Sequence, residues 1–120
     1  MIRMQSLNQN KQFRQLLKQN KLNSNYFTIY FGKIDYYLNK KKNNLNISFV
    51  TKKKIGTAVK RNKIRRRLKS AVQKIIKNSK SVNLNYSYVI FGKADVYNDK
   101  FSYIYDEVSN VFNKIKNFKN

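Results

Sequence analysis

Two residue types on which much protein chemistry depends are missing from this sequence of 120 residues: it has no cysteine and no histidine. Without cysteine, disulfides, thiolate nucleophiles and cysteine-bearing zinc sites are excluded. Without histidine, so are imidazole bases, histidine-ligated metals and serine–histidine triads. Acids are nearly as scarce. Asp35, Asp95, Asp99, Asp106 and Glu107 are the whole complement, too scattered for the clustered carboxylates of a two-metal nuclease site. Asp106 and Glu107 are adjacent, yet consecutive side chains on a helix diverge by about 100°. A chain so equipped takes part in a reaction without performing the chemistry itself. Long apolar runs are also lacking, so no membrane span is expected. The acid-free first 21 residues could pass for a mitochondrial presequence, but carry Asn and Gln where such segments favour Ser and Arg. The cytoplasm is the expected location.

What is present in excess is positive charge. Lys and Arg number 27 against five acids, a formal net charge of +22. A compact domain with that imbalance repels itself unless a polyanion neutralises it. Nucleic acid is the first candidate and an acidic membrane surface the second. The 41% hydrophobic and 14% aromatic content suffices for a core, and residues 1–120 have the length of one domain. Abundant Lys, Asn, Ile and Tyr are what A- and T-rich coding DNA would give, so lysine number alone is weak evidence. Arginine is the better witness: of six, Arg61, Arg65, Arg66 and Arg67 fall within seven residues.

Along the chain, residues 10–20 read as a short helix with Asn10 as N-cap and Phe13, Leu16 and Leu17 on its core stripe. Residues 20–25 are polar and turn-like. Y-F-T-I-Y-F (26–31) is a strand that puts Phe27, Ile29 and Phe31 on one face and Tyr26, Thr28 and Tyr30 on the other. L-N-I-S-F-V-T (45–51) reads as its antiparallel hairpin partner across a polar tip at 39–44. Gly56 permits a turn and Thr57 caps a helix over 58–78, whose stripe is Ile64, Leu68, Ala71 and Ile75. S-Y-V-I-F (87–91) is a further strand. An amphipathic helix follows over 99–118, with Asp99 at its positive end. The similar segments 31–37 and 91–97 read as two strand ends with similar needs rather than a duplicated unit.

The basic charge is arranged, not scattered. From Val50 to Lys80 there are 13 Lys and Arg and no acid. At about 100° per residue, Arg61, Asn62, Arg65, Arg66 and Lys69 share one flank of the helix, and Lys60, Lys63, Arg67 and Lys74 the other. Repulsion between Arg61, Arg65 and Lys69 costs ~0.2–0.5 kcal/mol per i,i+4 pair, which an anionic ligand offsets. Arginine's planar fork pairs bidentately with phosphate. Lys52, Lys53 and Lys54 precede the helix start, where the dipole also favours phosphate. Lys93, after the last strand, reads as solvated.

K-K-I-G-T-A-V-K-R-N-K-I-R-R-R-L-K (53–69) closely resembles the signature of the bacterial ribonuclease P protein family, small basic subunits that partner a catalytic RNA. The resemblance extends over nearly the whole chain. It implies an α+β sandwich in the order αβββαβα, with a left-handed βαβ crossover and a mainly antiparallel sheet packed by helices. It implies ribonuclease P RNA and precursor tRNA as partners, with Mg²⁺ acting through the RNA. It assigns contact with the catalytic RNA to Lys53, Lys54, Arg61, Asn62, Lys63, Arg65, Arg66 and Lys69. A cleft for the single-stranded 5′ leader of precursor tRNA falls on Phe13, Leu17 and Tyr30. Three positions depart from the family pattern: Lys63 stands for an arginine, Thr57 for a common asparagine and Leu17 for an aromatic. The fourth strand is expected at 34–38. A ribosomal-protein-like structural RNA-binding protein is the competing reading.

Overall fold

A computed structural model describes residues 2–7, 10–33, 44–78 and 82–118. Among these residues five strands form one sheet: β1 (Arg3–Gln5), β2 (Asn20–Asn23), β3 (Phe27–Gly32), β4 (Asn44–Val50) and β5 (Ser87–Gly92), in the spatial order β1-β4-β5-β3-β2. Three α-helices among them complete the order: α1 (Asn10–Leu17), α2 (Ala58–Asn78) and α3 (Phe101–Lys116). From α1 onward the sequence of elements is αβββαβα, preceded by β1. The sheet is evenly mixed. β1 and β5 run parallel to β4, while β3 is antiparallel to both β5 and β2.

The hairpin expected between residues 26–31 and 45–51 does not form. β5 lies between those two strands, pairing Ile29 with Ile90 on one side and Phe49 with Ile90 on the other. The physical reason lies in β5 itself, whose Tyr88, Val89 and Ile90 are all fully buried. A strand apolar on both faces belongs at the centre of a sheet. The actual hairpin partner of β3 is β2, in the polar stretch read as a turn: Leu22 pairs with Ile29 and Lys21 with Tyr30. The first helix accordingly stops at Leu17. The strand expected at 34–38 and most of the 39–44 tip lie outside the described residues.

One sheet face carries the main core. Phe27, Ile29 and Phe31 of β3, Leu45 and Ile47 of β4, and Tyr88 and Ile90 of β5 pack against α2 and α3. From α2 come Ile64, Leu68, Ala71, Val72 and Ile75, and from α3 Ile104, Val108, Val111, Phe112 and Ile115. Each large apolar side chain so buried contributes about 1.5–3 kcal/mol. Gly92 ends β5 where α2 crosses: a Cβ there would stand 2.6 Å from Ile64 Cγ2 and 2.9 Å from Leu68 Cδ1. A Cβ on Gly32 would meet the side chain of Gln19. Both glycines are thus strand ends closely approached by side chains from elsewhere in the chain, which accounts for the glycine that the two similar segments share.

Among the described residues, the opposite sheet face carries a single helix, α1, eight residues long, over a small cluster of Leu16 and Val89 with Leu7, Phe13, Tyr30, Val50 and Phe91 against it. Under α1, Gln12 is 6% exposed and its Oε1 accepts no hydrogen bond. The third helix begins at Phe101, two residues later than the sequence suggests. Asp99 is drawn off to accept a 2.6 Å hydrogen bond from the Tyr26 hydroxyl. That contact also removes Tyr26 from the face it was expected to share with Tyr30: it packs against the main core.

Candidate nucleic-acid interface

α2 forms as the sequence dictates, with Thr57 Oγ1 accepting from the Lys60 amide at 3.2 Å as an N-cap does. Its two flanks differ in kind. On one, Arg61 Nε donates to the Gly56 carbonyl at 3.2 Å, and Arg65 Nη1 donates to Thr51 Oγ1 at 2.8 Å. Arg65 Nη2 also donates to Asn62 Oδ1. Each guanidinium is thereby oriented while retaining donors for a phosphate. Asn62, Arg66 and Lys69 are exposed beside them, and Lys53 and Lys54 lie in an exposed 3₁₀ turn just before α2.

The other flank faces the chain between β5 and α3. Lys63 stands over the Tyr97 ring, 4.4 Å from its centroid, and Lys60 over the same ring at 5.3 Å. Lys63 therefore does not join Arg61 and Arg65, although the resemblance groups it with them. Arg67 spends its guanidinium on three main-chain carbonyls: Val96 at 2.7 Å and Tyr97 at 3.0 Å from Nη1, and Asp99 at 2.6 Å from Nη2. One of the four clustered arginines is thus a structural staple. Among the described residues no lysine or arginine has a carboxylate partner, so the surface charge is left for an external anion.

A second feature sits on the α1 face of the sheet. Phe13 from α1 and Tyr30 from β3 both meet Phe91 of β5 edge-on, with centroids 6.2 and 5.6 Å away. Lys21 of β2 stands 5.7 Å over the Tyr30 ring. Phe13, Tyr30 and Phe91 are all part-buried, leaving aromatic surface open beside α1. The structure therefore brings together two of the three expected cleft residues. Leu17, the third, is 37% exposed at the end of α1, one helical turn beyond Phe13. Phe91 is the member that sequence reasoning missed.

An open depression of about 290 Å³ continues from Phe91 toward the start of α2, lined by Lys52, Lys54 and Lys93. Lys93 is not solvated as expected. Its ammonium donates to Asn23 Oδ1 at 2.9 Å and to the Ser24 carbonyl at 2.6 Å. Nearby, the hydrogen bond to Asp99, aided by desolvation, pushes the Tyr26 phenol up to about 12. Burial pushes the Tyr88 phenol up as well, and its hydroxyl donates to the Asn83 carbonyl at 2.6 Å.

A mixed α+β protein with arginines free of carboxylate partners along one helix flank, and an open aromatic row beside lysines, has the features of a nucleic-acid-binding protein. The comparisons with known proteins agree. The ribonuclease P family model matches residues 1–116, and the chain belongs to the ribonuclease P protein family. It is 32% identical over 111 residues to the ribonuclease P protein component of Carboxydothermus hydrogenoformans, covering 92% of this chain and 90% of that one. Its fold is similar to that of the RNase P protein from Thermotoga maritima, with a TM-score of 0.70 at 19% identity, covering 97% of this chain and 99% of that one. The Staphylococcus aureus RNase P protein gives 0.67 at 20% identity, covering 95% and 97%. Family membership makes this an RNA-binding component of an endoribonuclease with ribonuclease P RNA as partner. It sets aside the ribosomal-protein-like reading. Among the described residues, no helix is long and apolar enough to cross a membrane.

Proposed function

We propose that the arginine flank of α2 docks on ribonuclease P RNA while the aromatic row holds the single-stranded 5′ leader of precursor tRNA. Arg61, Asn62, Arg65, Arg66 and Lys69, with Lys53 and Lys54 before them, meet the phosphates of the catalytic RNA. Phe13, Phe91 and Tyr30 offer ring surface to leader bases, and Leu17 closes the end of the row. Lys21, Lys52 and Lys93 neutralise the leader backbone as it passes along the depression toward α2. The RNA, with Mg²⁺ held by it, carries out hydrolysis. The chain itself has no histidine or cysteine to move a proton near neutral pH. The protein's part is to bind and orient.

The observation that carries this reading is the exposed ring surface of Tyr30 and Phe13 around Phe91, flanked by lysines, on a face that α1 leaves incompletely covered. Stacking on such a ring is worth ~1–3 kcal/mol per base, roughly 5- to 150-fold in affinity. Tyr30→Ala should therefore weaken binding of precursor tRNA to the holoenzyme by that factor while leaving mature tRNA binding unchanged. Titration of fluorescent precursor and mature tRNA checks it, with circular dichroism confirming the fold. Equal losses for both ligands would mean that Tyr30 serves only the packing of α1. Purified protein free of RNA should leave precursor tRNA intact.

A further inference from the structure

The flank of α2 that turns away from Arg61 and Arg65 has an order of its own. Lys60 and Lys63 converge on the Tyr97 ring, and three turns further along Lys74 stands 4.9 Å over the Tyr105 ring. Both tyrosines are part-buried against the main core, so their rings are fixed platforms. Arg67, bound to the carbonyls on either side of the Tyr97 side chain, sets where that ring lies. An ammonium held over a ring keeps its charge and its donors but loses much of its rotamer freedom.

Acids are near in sequence, Asp95 and Asp99 on either side of Tyr97 and Asp106 and Glu107 just after Tyr105, but they do not neutralise these lysines by direct pairing. Among the described residues none of the three has a carboxylate partner. Because Lys60 and Lys63 share one ring, their charges lie at most about 10 Å apart, within a Debye length at 0.1 M salt. Like charges brought together on a fixed platform raise the energy of the free protein, and an anion between them lowers it. Lys63 and Lys74 are ~16 Å apart along the helix axis at 1.5 Å per residue, a span that accommodates several consecutive phosphates. A protein partner would call for an apolar centre to the patch; here the apolar ring faces of Tyr97 and Tyr105 are covered by ammonium groups.

We propose that this flank is a second nucleic-acid track: Lys60, Lys63 and Lys74 hold backbone phosphates of one RNA strand, and Tyr97 and Tyr105 keep the lysines ready for them. It goes beyond the function proposed above, which uses the opposite flank. With both occupied, α2 lies between two RNA segments.

The test measures binding of a bacterial ribonuclease P RNA transcript, and separately of an oligouridylate strand, over a range of salt concentrations. Lys60→Gln combined with Lys74→Gln should flatten the slope of log K against log salt by one to two phosphates' worth, each roughly 0.7–0.9. Lys63 stays in place, since the family resemblance already assigns it. Lys114→Gln, in the exposed last turn of α3, serves as the control. The loss should add to that of Arg65→Ala, as distinct surfaces require. Tyr97→Leu with Tyr105→Leu should lower affinity about three- to tenfold while keeping the slope, because only the ordering of the lysines is lost. The corresponding Phe variants, which keep the rings, should bind as the unaltered protein does. Binding by the lysine pair variant equal to that of Lys114→Gln would overturn the proposal. So would a loss that fails to add to Arg65→Ala. An effect of the lysine pair without any effect of Arg65→Ala would instead remove the arginine flank from the proposed function and leave this track standing.

Discussion

Replacing Arg67 by alanine removes three charge-assisted hydrogen bonds to the carbonyls of Val96, Tyr97 and Asp99. A bond from a charged donor contributes about 1.5–3 kcal/mol net when buried. These carbonyls are only part-buried, and water reaches them once the guanidinium is gone. Counting about 1 kcal/mol for each bond gives a loss of ~3 kcal/mol. In a chain of this size 1 kcal/mol moves the melting midpoint by about 3–5 °C, so Arg67→Ala should melt roughly 9–15 °C below the unaltered protein. Arg67→Lys should recover little, because one ammonium cannot span three carbonyls as the planar fork does. The same variants should bind RNA with an unchanged salt slope, since the Arg67 guanidinium is already committed. Thermal melts followed by circular dichroism, paired with RNA titrations at several salt concentrations, measure both quantities. A melting loss under about 3 °C, or a slope flattened by a full phosphate's worth, would refute the assignment of Arg67 as a staple.

Arg65→Ala should do the converse, flattening the salt slope by roughly 0.7–0.9 while Lys77→Ala leaves it as it is; an unchanged slope for Arg65→Ala would move the RNA surface off this flank. Gln12→Met should raise stability by about 1 kcal/mol in denaturant melts, because it removes the buried acceptor without a partner; a loss would show that Oε1 is satisfied by water. The Tyr26 phenol ionises at 10.0 in an unfolded chain and near 12 in the folded one. Between those values the unfolded state has lost a proton that the native state keeps, so stability should fall as pH rises through that window. Tyr26→Phe should flatten that decline in pH-dependent melts.

Where local rules governed the outcome, the sequence was readable. The 58–78 helix has the observed bounds because its apolar period, its Thr57 cap and the turn before it all agree. The arginine flank followed from the same helical geometry, and so did the separation of Lys63 and Arg67 onto the other side. Strand order was not readable from a hairpin argument, because pairing between β4 and β5 depends on contacts across the whole of α2. Yet a sign was there: S-Y-V-I-F is apolar without alternation, which already marks a strand covered on both faces. Taken seriously, it places Phe91 opposite the Tyr88 and Ile90 face and so beside Phe13. β2 escaped notice because Leu22 is its sole apolar residue, and an edge strand needs no more than that. Tyr26 was misplaced because one hydrogen bond, to Asp99, outweighed the alternation of its strand.

The sheet order also sets when the protein can fold. β5, last of the five strands to be made, sits at the middle of the sheet and supplies the partner of both β3 and β4. Synthesis at ~5–20 residues per second leaves roughly 2–8 s between the emergence of β4 and that of β5. Throughout that interval β3 and β4 each expose a hydrogen-bonding edge, the feature by which nascent chains pair wrongly with one another. The lysine-rich segment that grows out between them is acid-free and strongly positive. Mutual repulsion then keeps neighbouring unfinished chains apart until the central strand arrives. Charge that serves RNA in the finished protein thus guards against aggregation in the unfinished one.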